Sequence, residues 1–284
     1  MISGSKDLIN STDDYVHAYW ILTRKCNYKC HYCVCPTMAM NPPDATDEVI
    51  TKTIEAYNYL DKISPVNLTI TGGEPTLKDL HSILQRLSLR RSVTIYTNLS
   101  ATVDYYISLN TVHPIKIHST LHLTQVAPSE FVLKCNNLCK DMPVLVKLMV
   151  TDPKTLVIAR ETLAKLHKNV VVEIHTAGVT SKEIITKTLR MNTHTPFLHN
   201  NKEISAYGLS RINSFKSWTC TAPKKAICID YYGAVYTCKA HFQDNKPLGF
   251  TIFDDFEAEY GALGDTIQCP ITECTSDLEV IKYK

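Results

Sequence analysis

Residues 66–75 read Val-Asn-Leu-Thr-Ile-Thr-Gly-Gly-Glu-Pro, a short run of β-branched and aliphatic residues closed by two glycines and a proline. Such a run bounded by turn residues predicts a strand. Similar runs stand at Tyr19–Thr23, Val93–Thr97, Ile115–Ser119, Val144–Val150 and Val170–His175. Between them, Asp47–Leu60 sets Ile50, Ile54, Tyr57 and Leu60 at helical spacing, and Leu77–Leu87 does the same with Leu80, Ile83, Leu84 and Leu87. Strands alternating with helices predict a parallel sheet joined by crossovers. The apolar character of Val66–Ile70 predicts strands covered by helices on one face and packed inside a barrel on the other. The expected fold is α/β, a partial (β/α)6 TIM-like barrel over residues 1–195.

Past residue 195 the pattern changes. Ile227–Tyr231, Gly233 and Ala234–Cys238 predict a β-hairpin, with positive φ required at Gly233 where the chain reverses. Residues 196–284 carry nine basic and eleven acidic residues, a net of −2 that leaves +4 for residues 1–195. A second, smaller domain is expected there, a hairpin plus helix. The acidic Asp254, Asp255, Glu257 and Glu259 predict a solvated helix face.

The net charge of +2 excludes a chain-wide field that would draw the protein onto nucleic acid or anionic membrane. No apolar window approaches the roughly 20 residues that span a bilayer, and the N-terminal segment lacks the features of a secretory signal. Eleven cysteines without an export signal fit a reducing compartment, where clustered thiols serve as metal ligands or catalysts. The cytoplasm is the expected location, and no membrane partner is expected.

Three of those thiols form Cys26-x-x-x-Cys30-x-x-Cys33 directly after the first predicted strand. Thiolates on one short loop select iron–sulfur or zinc sites, and three of them can hold three irons of a [4Fe–4S] cube while leaving the fourth open. At the end of the second strand, Gly72 and Gly73 let backbone approach a ligand, and the Glu74 carboxylate can accept from an ammonium group. Zinc is the alternative reading of the cysteines.

The triad together with Gly72-Gly73-Glu74-Pro75 resembles the radical S-adenosylmethionine superfamily. The resemblance implies that Cys26, Cys30 and Cys33 hold a [4Fe–4S] cluster. It implies that the open iron chelates the methionine moiety of S-adenosylmethionine, whose amino group meets Gly72–Pro75. It further implies Tyr32 beside the adenine, Asn98 at the polar end of the third strand, and Ser119 near the ribose or carboxylate. Leu99 replaces a glycine usual in that family, and His118-Ser119-Thr120-Leu121-His122 lacks its common acidic residue. Lys147 either faces the barrel to bind a carboxylate or snorkels to solvent.

Cys220, Gly233, Cys238, Cys269 and Cys274 are spaced like the SPASM and Twitch extensions of that superfamily. That resemblance implies an auxiliary [4Fe–4S] cluster on Cys220, Cys238, Cys269 and Cys274, with structural zinc as the alternative. Cys228, Cys135 and Cys139 are expected in the core, and Cys35 as a bystander to the triad.

The implied activity is reductive cleavage of S-adenosylmethionine to a 5′-deoxyadenosyl radical that abstracts hydrogen from substrate, fed by an external one-electron donor of flavodoxin or ferredoxin type. Three substrates stay open: an amino-acid side chain or peptide, a small molecule undergoing dehydrogenation or rearrangement, and an amino-acid-decorated thymidine in DNA. The last follows a similarity of Phe215–Cys220 and Ile227–Gly233 to compact phage-type proteins of the superfamily, which would put the enzyme in host cytoplasm. With 18 residues before the first predicted strand, no leader-peptide recognition domain is expected in front. A zinc-stabilised binding module is the non-enzyme alternative, and it has no need of Gly72, Gly73 and Glu74.

Overall fold

The computed structural model describes residues 15–33, 42–176 and 219–269, with short strand segments at 198–199, 202–203, 206–207 and 282–283. Six strands, β1 (Val16–Thr23), β2 (Val66–Gly72), β3 (Val93–Thr97), β4 (Ile115–Leu121), β5 (Val144–Val150) and β6 (Val171–Thr176), pair in parallel and in sequence order. Each is followed or preceded by a helix: α1 (Asp47–Ile63), α2 (Leu80–Arg86), α3 (Val103–Val112), α4 (Pro128–Leu138) and α5 (Pro153–Leu163). This is the expected partial TIM barrel.

Local chemistry sets the helix bounds. Thr46 caps α1 by accepting from Val49 N–H, and Asp47, Glu48 and Lys62 complement its dipole. Ile50, Ile54, Tyr57 and Leu60 are buried as their spacing requires. The single helix expected over 77–87 is instead a 3₁₀ turn, Pro75–Leu77, followed by α2. Glu74 caps the turn, Lys78 is extended, and Asp79 restarts the chain as the cap of α2.

The sheet has two chemically different faces. Val66, Leu68 and Ile70 of β2, Val93 and Ile95 of β3, Ile115 and Ile117 of β4, and Val144, Val146 and Leu148 of β5 join the core under the helices. The alternate residues, among them Thr69, Tyr96, His118, Thr120 and Lys147, point into the lumen. The lumen face thus carries hydroxyls, aromatic rings and charged groups.

The C-terminal hairpin completes the edge of the barrel. β11 (Ala226–Ile229) pairs in parallel with β1, and β12 (Val235–Tyr236) pairs antiparallel with β11. Gly233 takes φ +81°, its N–H donates to the Asp230 carbonyl, and an added Cβ would lie 2.7 Å from Ile252 Cγ1. The Asp230 carboxylate accepts from Tyr232 N–H, Ala234 N–H and Tyr236 O–H, which fixes the reversal. At the other edge β9 (Ala206–Tyr207) pairs with β6, and β7 (Leu198–His199) with β8 (Lys202–Glu203) form a small ribbon. β10 (Thr219–Cys220) lies between β13 (Ile267–Gln268) and β14 (Lys282–Tyr283) in a separate sheet. Short helices α6 (Ala222–Lys225), α7 (Lys239–Gln243) and α8 (Phe256–Ala262) connect these pieces. Asp255 caps α8, and Asp254 accepts from Thr251, so half of the acidic cluster serves as local caps. The boundary expected at residue 195 lies outside the described residues.

Candidate active site

The cysteine loop and the double-glycine turn are joined backbone to backbone. Gly73 N–H donates to the Thr23 carbonyl at 2.7 Å and Glu74 N–H to the Lys25 carbonyl at 2.8 Å. A Cβ on Gly72 would lie 2.1 Å from Thr23 O, and one on Gly73 2.1 Å from Lys25 O. Both positions admit only glycine, and Gly72 also holds φ +143°. The close approach that the sequence reserves for a ligand is used first to dock the loop carrying Cys26, Cys30 and Cys33.

A cavity of about 180 Å³ opens beside that junction, lined by all three cysteines together with Gly72, Gly73, Tyr96, Asn98 and His122. Cys26, Cys30 and Cys33 are not joined in disulfides. Burial raises the Cys30 thiol above its ordinary range, so its ionisation has to be driven by the metal it takes. Tyr28 N–H reaches Cys26 Sγ at 3.4 Å, and Asn98 Nδ2 lies 3.8 Å from the same sulfur while donating to Asn27 Oδ1 at 2.9 Å. Three soft donors on one loop, N–H groups directed at a sulfur, and a cradle bounded by glycine backbone fit an iron–sulfur cube with a small-molecule ligand. Among the described residues no three Cys, His, Asp or Glu side chains gather to hold a single ion.

Three expected contacts are corrected. Glu74 is fully buried and does not line the cavity. Its Oε1 accepts from Thr76 N–H, Thr76 O–H and Thr97 O–H, and its Oε2 from Asn98 N–H. Tyr106 O–H stands 2.8 Å behind Thr97 Oγ1. The carboxylate therefore clamps the ends of β2 and β3 and holds Asn98 in place, instead of offering itself to an ammonium. Pro75, buried at the start of the 3₁₀ turn, is likewise off the cavity. Ser119 is also turned away: it faces α4, donating to the Leu145 carbonyl at 3.2 Å with Cys135 Sγ at 3.9 Å. On β4 the odd-numbered positions face the helices, so Thr120 lines the cavity in its stead.

His122, to which the sequence reading gave no role, lines the cavity with Tyr28 and Thr120. Its ring stacks on Tyr32 at 5.9 Å, and Tyr32 O–H lies 2.9 Å from Nδ1. Burial lowers the His122 pKa to about 4 and raises that of Tyr32, so a neutral ring meets a protonated phenol at this contact. His118, on the same face of β4, is also brought to about 4, chiefly by burial. A histidine with a lowered folded pKa contributes stability that is complete above its unfolded pKa of about 6.5 and is lost as pH falls toward about 4. The apoprotein is expected to lose melting temperature across that window, and His122→Asn to flatten the loss. A pH-melting series checks this, and an unchanged slope in the variant refutes it.

Arg24 links the loop to the C-terminal hairpin, its guanidinium lying 5.6 Å from the Tyr231 ring and 5.2 Å from the Phe242 ring. Beyond that contact, Cys220, Cys238 and Cys269 are buried in one small core with Ala222, Ala226 and Ala240. Cys274 and Cys35 lie outside the described residues. Cys135 and Cys139 are buried in the main core, where burial pushes the Cys135 thiol up to about 12, and Cys228 is buried against Tyr19, Ile21 and Tyr236. All three fill space, as expected.

Residues 20–122 match the Radical SAM superfamily. The chain carries a radical S-adenosylmethionine domain. The matched segment runs from β1 to His122 and so contains the triad, the double-glycine turn and every residue that lines the cavity. Radical S-adenosylmethionine proteins are enzymes that use a [4Fe–4S] cluster and S-adenosylmethionine, and the cysteines and cradle here suit both. No curated protein matches the sequence. Among solved structures, native anSMEcpe with bound AdoMet and Kp18Cys peptide is 16% identical, covers 88% of this chain and 81% of its own, and has a TM-score of 0.60. Streptococcus suis SuiB bound to S-adenosylmethionine is 14% identical, covers 87% of this chain and 66% of its own, with a TM-score of 0.59. At these identities the likeness is one of fold. Among the described residues no helix is long and apolar enough to cross a membrane.

Proposed function

We propose that this chain cleaves S-adenosylmethionine reductively and uses the resulting radical on an amino-acid-containing or peptide substrate. The observation that carries the reading is the cavity in which Cys26, Cys30 and Cys33 meet the Gly72-Gly73 backbone. When bound, the cluster and S-adenosylmethionine supply a 5′-deoxyadenosyl radical able to take hydrogen from an unactivated C–H bond. The protein's own part is placement. Gly72 and Gly73 bring backbone to the ligand, Asn98 and Tyr28 steady the sulfur of Cys26, and His122, stacked on Tyr32, lines the cavity. The peptides bound by anSMEcpe and, in a second structure, by SuiB support a substrate of that kind on this fold. Decorated thymidine and other small molecules are the competing substrates.

The buried group of Cys220, Cys238 and Cys269 supports an auxiliary [4Fe–4S] cluster completed by Cys274. Because Cys238 caps α7 and Arg24 reaches Phe242 of that helix, electrons for this cluster and for the triad would converge at one end of the barrel. We infer an external donor of flavodoxin or ferredoxin type and a reducing compartment. About eight irons per chain are expected after anaerobic reconstitution, from two four-iron cubes, with 5′-deoxyadenosine released on adding dithionite and S-adenosylmethionine. Cys238→Ala should keep cleavage and lose about half the iron. Bound zinc without deoxyadenosine would overturn the reading, and loss of cleavage in Cys238→Ala would overturn the division of labour.

A further inference from the structure

The loop that carries the three cysteines is anchored at two places. Its first half, with Cys26, is docked on the ends of β2 and β3 by Gly73, Glu74 and Asn98. Its second half, with Cys30 and Cys33, leans on the segment that leaves β4. Lys29 N–H donates to Gln125 Oε1 at 3.2 Å. Tyr32 Oη is hydrogen-bonded to His122 Nδ1 at 2.9 Å, and the two rings stack with 20° between their planes. The Tyr28 ring meets His122 edge to face, with centroids 5.9 Å apart and planes at 88°. One imidazole thus packs on both tyrosines of the loop. Its own place is fixed from behind. Leu121, the last residue of β4, is buried and pairs with Leu148 of β5. The His122 carbonyl then accepts from Gln125 N–H at 2.8 Å and from Val126 N–H at 3.2 Å, which closes a turn directly after the strand.

A side chain set on a sheet terminus places its contacts more precisely than one set on a loop. Tyr32 lies between Cys30 and Cys33, whose backbones are joined by Cys33 N–H donating to the Cys30 carbonyl at 3.1 Å. Tyr32 is also a hydrogen-bond partner of the Cys30 side chain. Holding that phenol therefore restricts where both sulfurs can stand. We infer that His122 is a positioning residue, which through Tyr32 and Tyr28 sets the places of Cys30 and Cys33 relative to Cys26 and the double-glycine turn. The inference rests on the proposed function only in treating the three sulfurs as ligands of one cluster. The partners around metal ligands orient them and tune what they hold, and His122 does so here from a strand that contributes no cysteine to the triad.

The first measurement needs no cluster. Amide hydrogen exchange on the metal-free full chain, read by mass spectrometry, follows the peptide that holds Lys29 and Cys33, with β5 as the control. Tyr32→Phe keeps the ring and removes the hydroxyl, and should speed exchange of the loop about threefold. His122→Leu removes the ring nitrogen and the stack together, and should speed it about tenfold. His122→Asn keeps an amide near the place of Nδ1 and should stand between the parent and His122→Leu. The double variant Tyr32→Phe/His122→Leu should fall short of the product of the two single effects, because they remove one shared contact. β5 should exchange at the parent rate throughout. Loop exchange unchanged in both single variants, rising in step with β5, or no slower in His122→Asn than in His122→Leu would overturn the anchor. Should His122→Leu fail to fold, Tyr32→Phe decides by the same criterion. The second measurement is the electron paramagnetic resonance signal of the reduced, reconstituted protein with S-adenosylmethionine. Its g values should move in His122→Leu and return toward the parent in His122→Asn, and g values identical in all three would overturn the reach of the anchor to the cluster. A parent whose signal does not respond to S-adenosylmethionine removes the radical reading and leaves hydrogen exchange to judge the anchor.

Discussion

Gly73→Ala is expected to abolish S-adenosylmethionine cleavage and to lower the unfolding free energy by about 3 kcal/mol or more. The added methyl would stand 2.1 Å from Lys25 O, and the listener on the other side is backbone, not a side chain that can swing away. Relief requires the strand β2 terminus and the cysteine loop to part. That movement stretches two short bonds, Gly73 N–H to Thr23 O and Glu74 N–H to Lys25 O, and carries Cys26 away from Asn98. Stability and chemistry are coupled here because one junction serves both. Gly233→Ala makes a fair comparison: it too is strained at φ +81°, yet its added Cβ meets the flexible end of Ile252. It should destabilise by about 1–3 kcal/mol and spare the triad. Thermal melts and deoxyadenosine assays on both variants decide the matter, and a Gly73→Ala protein that melts normally and cleaves would refute the docking role.

The barrel was legible because its outer face is written in aliphatic residues at a clear period. Val93–Thr97 and Val144–Val150 coincide with their strands, and Ile50 to Leu60 with the buried face of α1. The site was legible only where a residue type is dictated by chemistry or sterics, as with the three cysteines and two glycines. Side-chain direction was not. Ile115-Lys-Ile-His-Ser-Thr-Leu121 alternates strictly, and that alternation puts Lys116, His118 and Thr120 on one face and Ser119 on the other. The period therefore held the signal that moves Ser119 off the site and His118 into the lumen. Glu74 could not be placed in this way. A carboxylate after two glycines suits a ligand contact and a buried clamp equally, and the donors that settle it, Thr97 and Asn98, lie on the next strand. Pairing of β11 with β1 was hidden for a similar reason, since strands some 200 residues apart share no local pattern.

Glu74 supplies the second large effect. Glu74→Ala should cost about 3–5 kcal/mol, because it strands Thr76 N–H, Asn98 N–H and the Thr97 hydroxyl in a fully buried space. Glu74→Gln tests what the carboxylate is for. Burial raises the pKa of this group even though four donors favour the ion, so the charge itself is costly at this position. A neutral amide removes that cost, keeps the oxygen that faces both threonines, and sets an NH₂ against Asn98 N–H. The losses and gains nearly offset, and Glu74→Gln should differ from the parent by about 1 kcal/mol. A ligand role and a clamp role then diverge. If the carboxylate paired with the ammonium of S-adenosylmethionine, Glu74→Gln would weaken binding about tenfold or more at unchanged melting temperature, since a charge-assisted contact would be gone. As a clamp, Glu74→Gln should hold S-adenosylmethionine within about threefold of the parent, a difference below 1 kcal/mol, whereas Glu74→Ala should lose melting temperature and affinity together as Asn98 comes free of the β3 terminus. Calorimetric titration of S-adenosylmethionine into the three reconstituted proteins, beside their melting curves, separates these outcomes.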